Sequence, residues 1–566
     1  MKKTGAEVLW ESLIREGVDV LFGLPGGAVI PAFDAMLNYP KLHFVLVRHE
    51  QGAAMMADGY ARASGKVGVA IATSGPGATN LVTGIHIASM DSSPVVFITG
   101  QVASNLLGSD AFQEVDMTGI CLPITKHTFL ITSPDEVAQT VHEAFYIARS
   151  GRPGPVLIDF CKDAQIAKTE KIDPPEVRLL GYHPPLHAAS EKLERAAELI
   201  RAAKKPVIFA GHGVEISGAA REVQKFAERT NTPVAMTLLS LGAIPSSHPL
   251  SLGMMGMHGE AFCNLAIQQS DLIIALGMRF DDRVTGNLRN YAPNAAKIHV
   301  DIDPTEINKI VIADVALVGD VKTVLADLDP QVPNARHDDW LNQITEWRKE
   351  TDQRDILGQP DHNGKLHVPQ IVSDIWNVTK GEALMVTDVG QHQMWTAQYY
   401  QPEKPYSFIT SGGAGSMGFG LPAAIGAKFA KPDREVWAIV GDGGFQMTQA
   451  ELSTAVQENI EIKIAIMNNH FLGMVRQWQE FFFEKRYSAV HLKNPDFGKI
   501  AEAHGIPTRK VMLSSEIHAA VEFARKTPGP VLLDFHVEQE EAVYPMVPTG
   551  ADLHQMIRRP SPEEKE

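Results

Sequence analysis

The chain has no apolar stretch of membrane-spanning length, so no segment is expected to cross a bilayer. It has only three cysteines, Cys121, Cys161 and Cys263, scattered and without a CxxC pair. That excludes a disulfide framework and a cysteine-rich zinc cluster, and suits a reducing compartment. Basic residues are in deficit: 51 Lys and Arg stand against 67 Asp and Glu, a net charge of −16. No nucleic-acid partner is expected from such a balance. The first residues, MKKTGAEVLWESLIREGV, lack the apolar core of a signal peptide and the Arg/Ser richness of a transit peptide, and read as an amphipathic helix. The expectation is a cytoplasmic protein with no membrane anchor. What is present is an ordinary globular composition, 44% hydrophobic, spread over 566 residues. That length is too great for one core and predicts about three domains.

Apolar strand-like runs alternate with helix-like segments through nearly the whole chain, which predicts an α/β fold of three doubly wound parallel-sheet domains. Breakers set the boundaries: a first domain at 1–167, a proline-rich linker at 168–188, a middle domain at 189–329, a second linker at 330–365 around one short helix, a third domain at 366–545 and a tail at 546–566. The tail loses periodicity and reads as a lid-like segment ending in disordered charge. The middle domain shows four strand candidates, KPVIFAG, TPVAMT, DLIIALG and KIHVDID. The outer domains echo each other. GPVLID from Gly154 and GPVLLD from Gly529 each follow a helix-like segment and a Pro-Gly turn, which points to a duplicated domain.

The most specific feature lies in the third domain. EVWAIV runs into Gly441-Asp442-Gly443, and IEIKIAIM runs into Asn468-Asn469. Between them TQAELSTAVQE reads as a helix, with Thr448 and Glu451 at capping-box spacing. A strand, helix, strand series places Asp442 and Asn469 at the carboxyl ends of two parallel strands, about 5 Å apart sideways if the strands are adjacent. One carboxylate and one amide carbonyl there suit Mg²⁺, which prefers oxygen and keeps phosphate oxygens as further ligands. The glycines let a diphosphate approach the backbone near a helix N-terminus. This arrangement resembles the thiamine diphosphate motif, GDG followed at a helix-strand distance by NN.

Taken with FGLPGGAVIPAFDAM, RHEQGAAMMADGYARASG, TSGPGATN, GQVASNLLGSDAFQE, LGMRFDDRVTG, GQHQMW, GAGSMGFGLPAAIGA and NNHFLGMVRQWQ, the chain resembles the catalytic large subunits of the acetohydroxyacid (acetolactate) synthase family over essentially its whole length. The resemblance implies a pyrimidine-binding domain, an FAD-binding middle domain and a diphosphate-binding domain. It implies decarboxylation of pyruvate on thiamine diphosphate and condensation of the hydroxyethyl group with a second pyruvate or with 2-ketobutyrate, the first common step of branched-chain amino acid synthesis. The expected cofactors are thiamine diphosphate, Mg²⁺ and FAD. The expected partners are a second copy of the chain, as a homodimer or dimer of dimers, and a regulatory small subunit.

Residue by residue, the same resemblance makes Glu50 the group that bonds the cofactor's pyrimidine and promotes loss of its C2 proton, acting on the cofactor of a neighbouring chain. It places Asp442, Asn469 and the backbone carbonyl of Phe471 on the metal. Gly390, Gln391 and His392 match the diphosphate loop, with Gly441, Gly443, Gly444, Gly473 and Met474 nearby. Gly26, Pro76, Asn80 and Met447 fall on the pyrimidine, Met417 under the bend of the cofactor, and the carbonyl of Gly415 on its amino group. Arg152, Gly211, Gly213, Thr237, Leu238, Gly256, His258, Gly277, Arg279, Asp281, Arg283, Asp301 and Asp320 match flavin contacts, although no GxGxxG is present. Arg283 also matches the anchor for the second substrate's carboxylate, Trp478 the residue favouring 2-ketobutyrate, and Gln113 and Lys126 the substrate channel. Other readings remain open: another thiamine diphosphate/FAD enzyme such as pyruvate oxidase, a catabolic acetolactate synthase, or an inactive flavin-binding scaffold.

Overall fold

The computed structural model describes residues 2–358 and 364–561. Residues 359–363 of the expected second linker and 562–566 of the expected charged tail lie outside the described residues. Three six-stranded sheets form the frame, and every strand pairing within them is parallel. The central strands are short apolar runs buried on both faces, as parallel strands covered by helices must be, while edge strands such as 127–131 and 508–511 are partly exposed.

The first sheet contains β1 (Val20–Leu24), β2 (His43–Leu46), β3 (Gly68–Ala72), β4 (Val95–Gln101), β5 (His127–Ile131) and β6 (Val156–Cys161), in the order β2-β1-β3-β4-β6-β5. Helices α1 (Glu50–Ser64) and α2 (Val137–Arg149) belong to it. The middle sheet contains β7 (Pro206–Ala210), β8 (Val234–Met236), β9 (Ser251–Met254), β10 (Leu272–Leu276), β11 (Ala296–Asp301) and β12 (Val315–Val318), in the order β9-β8-β7-β10-β11-β12. This is the doubly wound dinucleotide-type order. The four expected strands are β7, β8, β10 and β11. The two additional ones, SLGM and VALV, are edge strands of four residues each, too short to carry a periodic signal.

The third sheet contains β13 (Leu384–Thr387), β14 (Phe408–Thr410), β15 (Val436–Gly441), β16 (Lys463–Asn468), β17 (Thr508–Val511) and β18 (Val531–His536). Its order, β14-β13-β15-β16-β18-β17, repeats the first sheet position for position. The two echoing segments are β6 and β18, so the internal repeat in sequence is a repeat in topology. The helices of this domain include α3 (Gly420–Ala430), α4 (Asp442–Thr448), α5 (Leu452–Gln457), α6 (Gly473–Phe482) and α7 (Ile517–Lys526).

The helix between GDG and NN differs from the expectation. It begins at Asp442 itself, directly after β15, and a short 3₁₀ turn at Gln449–Glu451 separates α4 from α5. Thr448 caps nothing; its hydroxyl donates to the carbonyl of Gly418. Glu451 turns away toward the first domain, where its carboxylate accepts the N–H groups of Arg48 and His49.

The outer domains share one core. Phe22, Val45 and Met55 of the first pack in the same cluster as Ala424, Val440 and Ile466 of the third. At its centre α1 lies against α3, with glycine facing backbone. A methyl group added at Gly59 would overlap the Ala423 carbonyl, and one added at Gly426 would overlap that of Met56. Arg62, fully desolvated near the end of α1, pairs with Asp58 and Asp91 and donates to the Thr410 carbonyl. Asp91 in turn accepts the N–H groups of Gly412 and Gly413.

The linkers and tail are more structured than their composition suggests. The helix in the second linker, Asp338–Asp352, is 15 residues long and inserts Trp340 against the middle sheet, donating to the Pro206 carbonyl. The tail folds back: Met546 and Ile557 exchange backbone hydrogen bonds, Val547 N–H donates to Met257, and Leu553 and Met556 join the middle-domain core. Apolar spacing in so short a segment gives no period to read, so the sequence signalled a loose end.

A Gly426→Ala substitution is expected to cost about 1–3 kcal/mol through overpacking against rigid backbone. Thermal unfolding of the variant should show a lowered midpoint, whereas Gly358→Ala, where an added methyl meets nothing among the described residues, should not.

Candidate active site

In an open doubly wound sheet, ligands bind beyond the carboxyl ends of the strands, where the strand order reverses and the flanking loops part. Each of the three sheets has such a point, and the predicted residues gather at them.

In the third sheet the reversal lies between β13 and β15. Gly390, Gln391 and His392 follow β13, while Gly441 ends β15 and Asp442, Gly443 and Gly444 follow it. With Asn469, Phe471, Gly473, Met474 and Met417 they line one small pocket. Asp442 and Asn469 are therefore together, as the strand-end argument requires. The Asp442 carboxylate is oriented by the His470 N–H (2.8 Å), the Gly443 N–H (3.0 Å) and the Asn494 side-chain amide (2.6 Å). Burial pushes its pKa up to about 6. The Asn469 side-chain oxygen accepts from Phe471 N–H at 3.0 Å, and its amide reaches Gln391 at 3.4 Å. Nε2 of His392 is buried on this pocket without a partner, and burial holds the ring neutral, its pKa down near 3. Among the described residues no cluster of three His, Cys, Asp or Glu side chains forms. A cation here would have one carboxylate, one amide oxygen and a backbone carbonyl to rely on, with the remaining ligands left to a bound molecule's oxygens. That is the donor set of a Mg²⁺ that carries a phosphate.

In the first sheet the reversal lies between β1 and β3, and a second cluster forms there. Glu50 starts α1 and is almost fully buried. Asn80 donates to its Oε2 at 2.9 Å, and a methyl at Gly77 would come within 3.1 Å of Oε1. Pro76 opens the short helix that ends at Asn80, Gly26 is pressed on Thr73, and Gln113, with a φ of +62°, sits against Gly75. Asp442 lines the small pocket at the end of β15, and neither Glu50 nor Asn80 is in its wall. Met447 is not in that wall either and is 59% exposed.

In the middle sheet the reversal lies between β7 and β10, and a cavity of about 870 Å³ opens from it toward the third domain. Arg152, Gly213, Thr237, Leu238, His258, Gly277, Arg279, Asp281, Arg283, Asp301 and Asp320 are in its wall. Gly211 and Gly256 are not, but both are pressed on the backbone behind it, at Gly277 and Arg283. Asp301, at the end of β11, is raised by burial to about 7 and takes a hydrogen bond from Asp303 N–H. Such a carboxyl suits a ligand bearing hydroxyl donors. Glycine-walled, at a switch point and within the usual size range for cofactor sites, the cavity fits a dinucleotide. It meets the Asp442 pocket where Gly390, Met417 and Met474 line both. Gly415, Trp478 and Arg283 line the same space, and Arg283 is extended and largely exposed, near Asp282 and Met257.

Lys126 is not brought to this space. Its ammonium is turned inward onto the carbonyls of Ile147 and Ser150 at the end of α2 and onto the Tyr182 hydroxyl, and desolvation lowers its pKa to about 8. The structure also adds residues that sequence reasoning missed. Asp388, buried after β13, accepts from Val389, Gly418 and Gly420; the strand-end rule that found Asp442 applied to it equally. Asn494, Gln393 and Glu306 carried no signal, because each reaches the site from an irregular segment or a helix face whose direction only packing sets.

Three family models match in order: the N-terminal thiamine pyrophosphate (TPP) binding domain of thiamine pyrophosphate enzymes over residues 3–120, their central domain over 193–328, and their C-terminal TPP binding domain over 388–535. Fold and site thus define a thiamine pyrophosphate enzyme. The acetolactate synthase large subunit of Corynebacterium glutamicum is 48% identical over 559 residues, covering 97% of this chain and 89% of that protein. That of Haemophilus influenzae is 43% identical over 575 residues, covering 100% of both, and that of Buchnera aphidicola 44% over 567, covering 98% of both. The chain belongs to the acetolactate synthase large-subunit family.

Removing the single carboxylate of the cation site should remove metal-dependent cofactor binding. Calorimetric titration of Asp442→Ala with thiamine diphosphate and Mg²⁺ is expected to show no Mg²⁺-dependent heat; an affinity equal to that of the unaltered protein would contradict the assignment.

Proposed function

We infer that the chain works as an acetolactate synthase, joining the two-carbon unit left by decarboxylation of one pyruvate to the ketone of a second 2-keto acid, pyruvate or 2-ketobutyrate. The observation that carries the reading is the meeting of two spaces at Gly390, Met417 and Met474: a small pocket at the end of β15 with Asp442 and Asn469 in its wall, and a large cavity that shares those three residues with it.

Thiamine diphosphate, when bound, supplies the nucleophilic thiazolium carbon and holds the electron pair released by decarboxylation. The residues of this chain bind, orient and deprotonate. Asp442, Asn469 and the Phe471 carbonyl would hold Mg²⁺, and the segment Gly390 to His392 would receive the diphosphate. Met417 lies between the pocket and the cavity, where it supports the bend of the cofactor. Glu50, held by Asn80, bonds the pyrimidine and drives removal of the thiazolium proton. The family resemblance assigns Glu50 to the cofactor of a neighbouring chain, and Met447 is 59% exposed within one chain; a complete site would then take the first domain of one copy and the third of another. A homodimer is the smallest active unit.

The cavity of about 870 Å³ would hold FAD, with Asp301 and Asp320 in its wall as acceptors for hydroxyl groups. Arg283, extended into the same space, anchors the second substrate's carboxylate by a planar two-point contact. Trp478, on α6 and packed on Phe482, gives that substrate an apolar wall. The relatives' designation as large subunits supports a small regulatory partner. A pyruvate oxidase shares the cofactors, and its products, acetyl phosphate or acetate with peroxide, distinguish it.

Glu50→Gln is expected to lower turnover by about 10²–10⁴-fold, the usual contribution of a positioned proton-transfer group, while thiamine diphosphate still binds. Unchanged turnover would remove Glu50 from the reaction. For Trp478→Leu, competition between pyruvate and 2-ketobutyrate should show the preference for 2-ketobutyrate reduced, within the roughly 10–200-fold that one methylene allows. An unaltered product ratio would end that assignment.

A further inference from the structure

We propose that Glu451 is a positioning residue for Glu50, and that through it the metal-binding pole of one active site holds the proton-transferring residue of the neighbouring site. The inference rests on the reading of Glu50 given above.

Glu451 sits nine residues after Asp442, at the end of the 3₁₀ turn that continues α4. Its side chain leaves the third domain and enters the first. Both carboxylate oxygens accept from Arg48 N–H, at 3.2 and 3.3 Å, and Oε1 also accepts from His49 N–H at 3.1 Å. These are the two residues immediately before Glu50. A third donor, the Thr454 hydroxyl, fixes Oε2 at 2.6 Å. Glu451 is 1% exposed, so no water can replace it. Gly52 leaves it room: a methyl there would stand 2.5 Å from Oε1. Around it Gln457 accepts from Arg48, and Glu458 pairs with His43, so α5 clasps the whole β2–α1 turn.

The N-terminal N–H groups of a helix need acceptors, and a buried carboxylate satisfies several at once. Here the acceptor serves Arg48 and the N-cap residue His49 from about 400 residues away in sequence, and fixes the chain where it enters α1. Glu50 is its first residue, so the backbone of the catalytic group is fixed by Glu451 while Asn80 fixes its tip. In the dimer, this chain's Asp442 serves its own cofactor and this chain's Glu50 serves the partner's. The nine-residue path from Asp442 to Glu451 therefore joins two active sites within one rigid segment.

The test is Glu451→Gln in the full-length dimer, supplied with thiamine diphosphate, Mg²⁺ and FAD. The amide keeps size and shape but faces one of the two N–H groups with a donor. Deuterium exchange at the thiazolium C2 position, read by NMR after rapid quenching, reports the action of Glu50 without turnover. Displacing a catalytic group by a fraction of its length should slow that exchange about tenfold or more. Mg²⁺-dependent cofactor affinity, measured by calorimetry, should stay near the starting value. Exchange at the original rate with only a lowered unfolding midpoint would make Glu451 a structural residue and overturn the proposal. Equal losses of exchange and of affinity would also overturn it, by placing the effect at the metal. Glu50→Gln is run beside it: if that variant exchanges normally, the reading of Glu50 itself fails and this inference goes with it. Should Glu451→Gln not fold, Thr454→Val, which removes one of the donors that hold the carboxylate, carries the same outcomes with a smaller expected slowing.

Discussion

The contact of α1 with α3, glycine against backbone, is the constraint on which the rest depends. Gly59 and Gly426 let two buried helices approach until the surface of one meets the carbonyls of the other. That approach merges the cores of the first and third domains, so the two repeated sheets become one body. It also sets where Glu50 and Asp442 lie, since α1 begins with the first and α3 packs beneath the strand that leads directly into the second. Small shifts at such an interface have no soft side chains to absorb them.

Duplication explains the division of labour. Two sheets of identical strand order present identical switch points, and a cofactor with two heads can use one of each. The third domain's point presents one carboxylate and glycines, the set proposed above for a cation and its phosphates. The first domain's point presents a buried carboxyl, an amide and a proline turn, the set proposed for a heterocycle. The middle domain, with a different strand order, contributes a cavity instead, and Asp91 ties all three together: its side chain accepts from Gly412 and Gly413 and its carbonyl meets His212.

Much of this was legible in the residues. Apolar runs bounded by glycine and proline located the strands, because a parallel strand buried on both faces is a continuous apolar run. Asp442 and Asn469 could be paired because a βαβ unit has one handedness and adjacent ends. The edge strands β9 and β12, the packed tail and the true start of α4 were not legible, since each depends on what covers it rather than on its own spacing. Lys126 matched a channel residue by sequence, and its ammonium is directed at the carbonyls ending α2.

By itself, the order of residues determined the three-domain α/β plan, the internal repeat and the chemical kind of each strand end, because these follow from local burial patterns and from side-chain chemistry. Tertiary structure alone decided which ends meet. Glu451 lies at a helix-cap spacing in the chain, yet its carboxylate serves another helix in another domain. A carboxylate satisfies whichever N–H groups the packing brings to it, and that proximity, set by the close approach of α1 and α3, is written nowhere along a single segment.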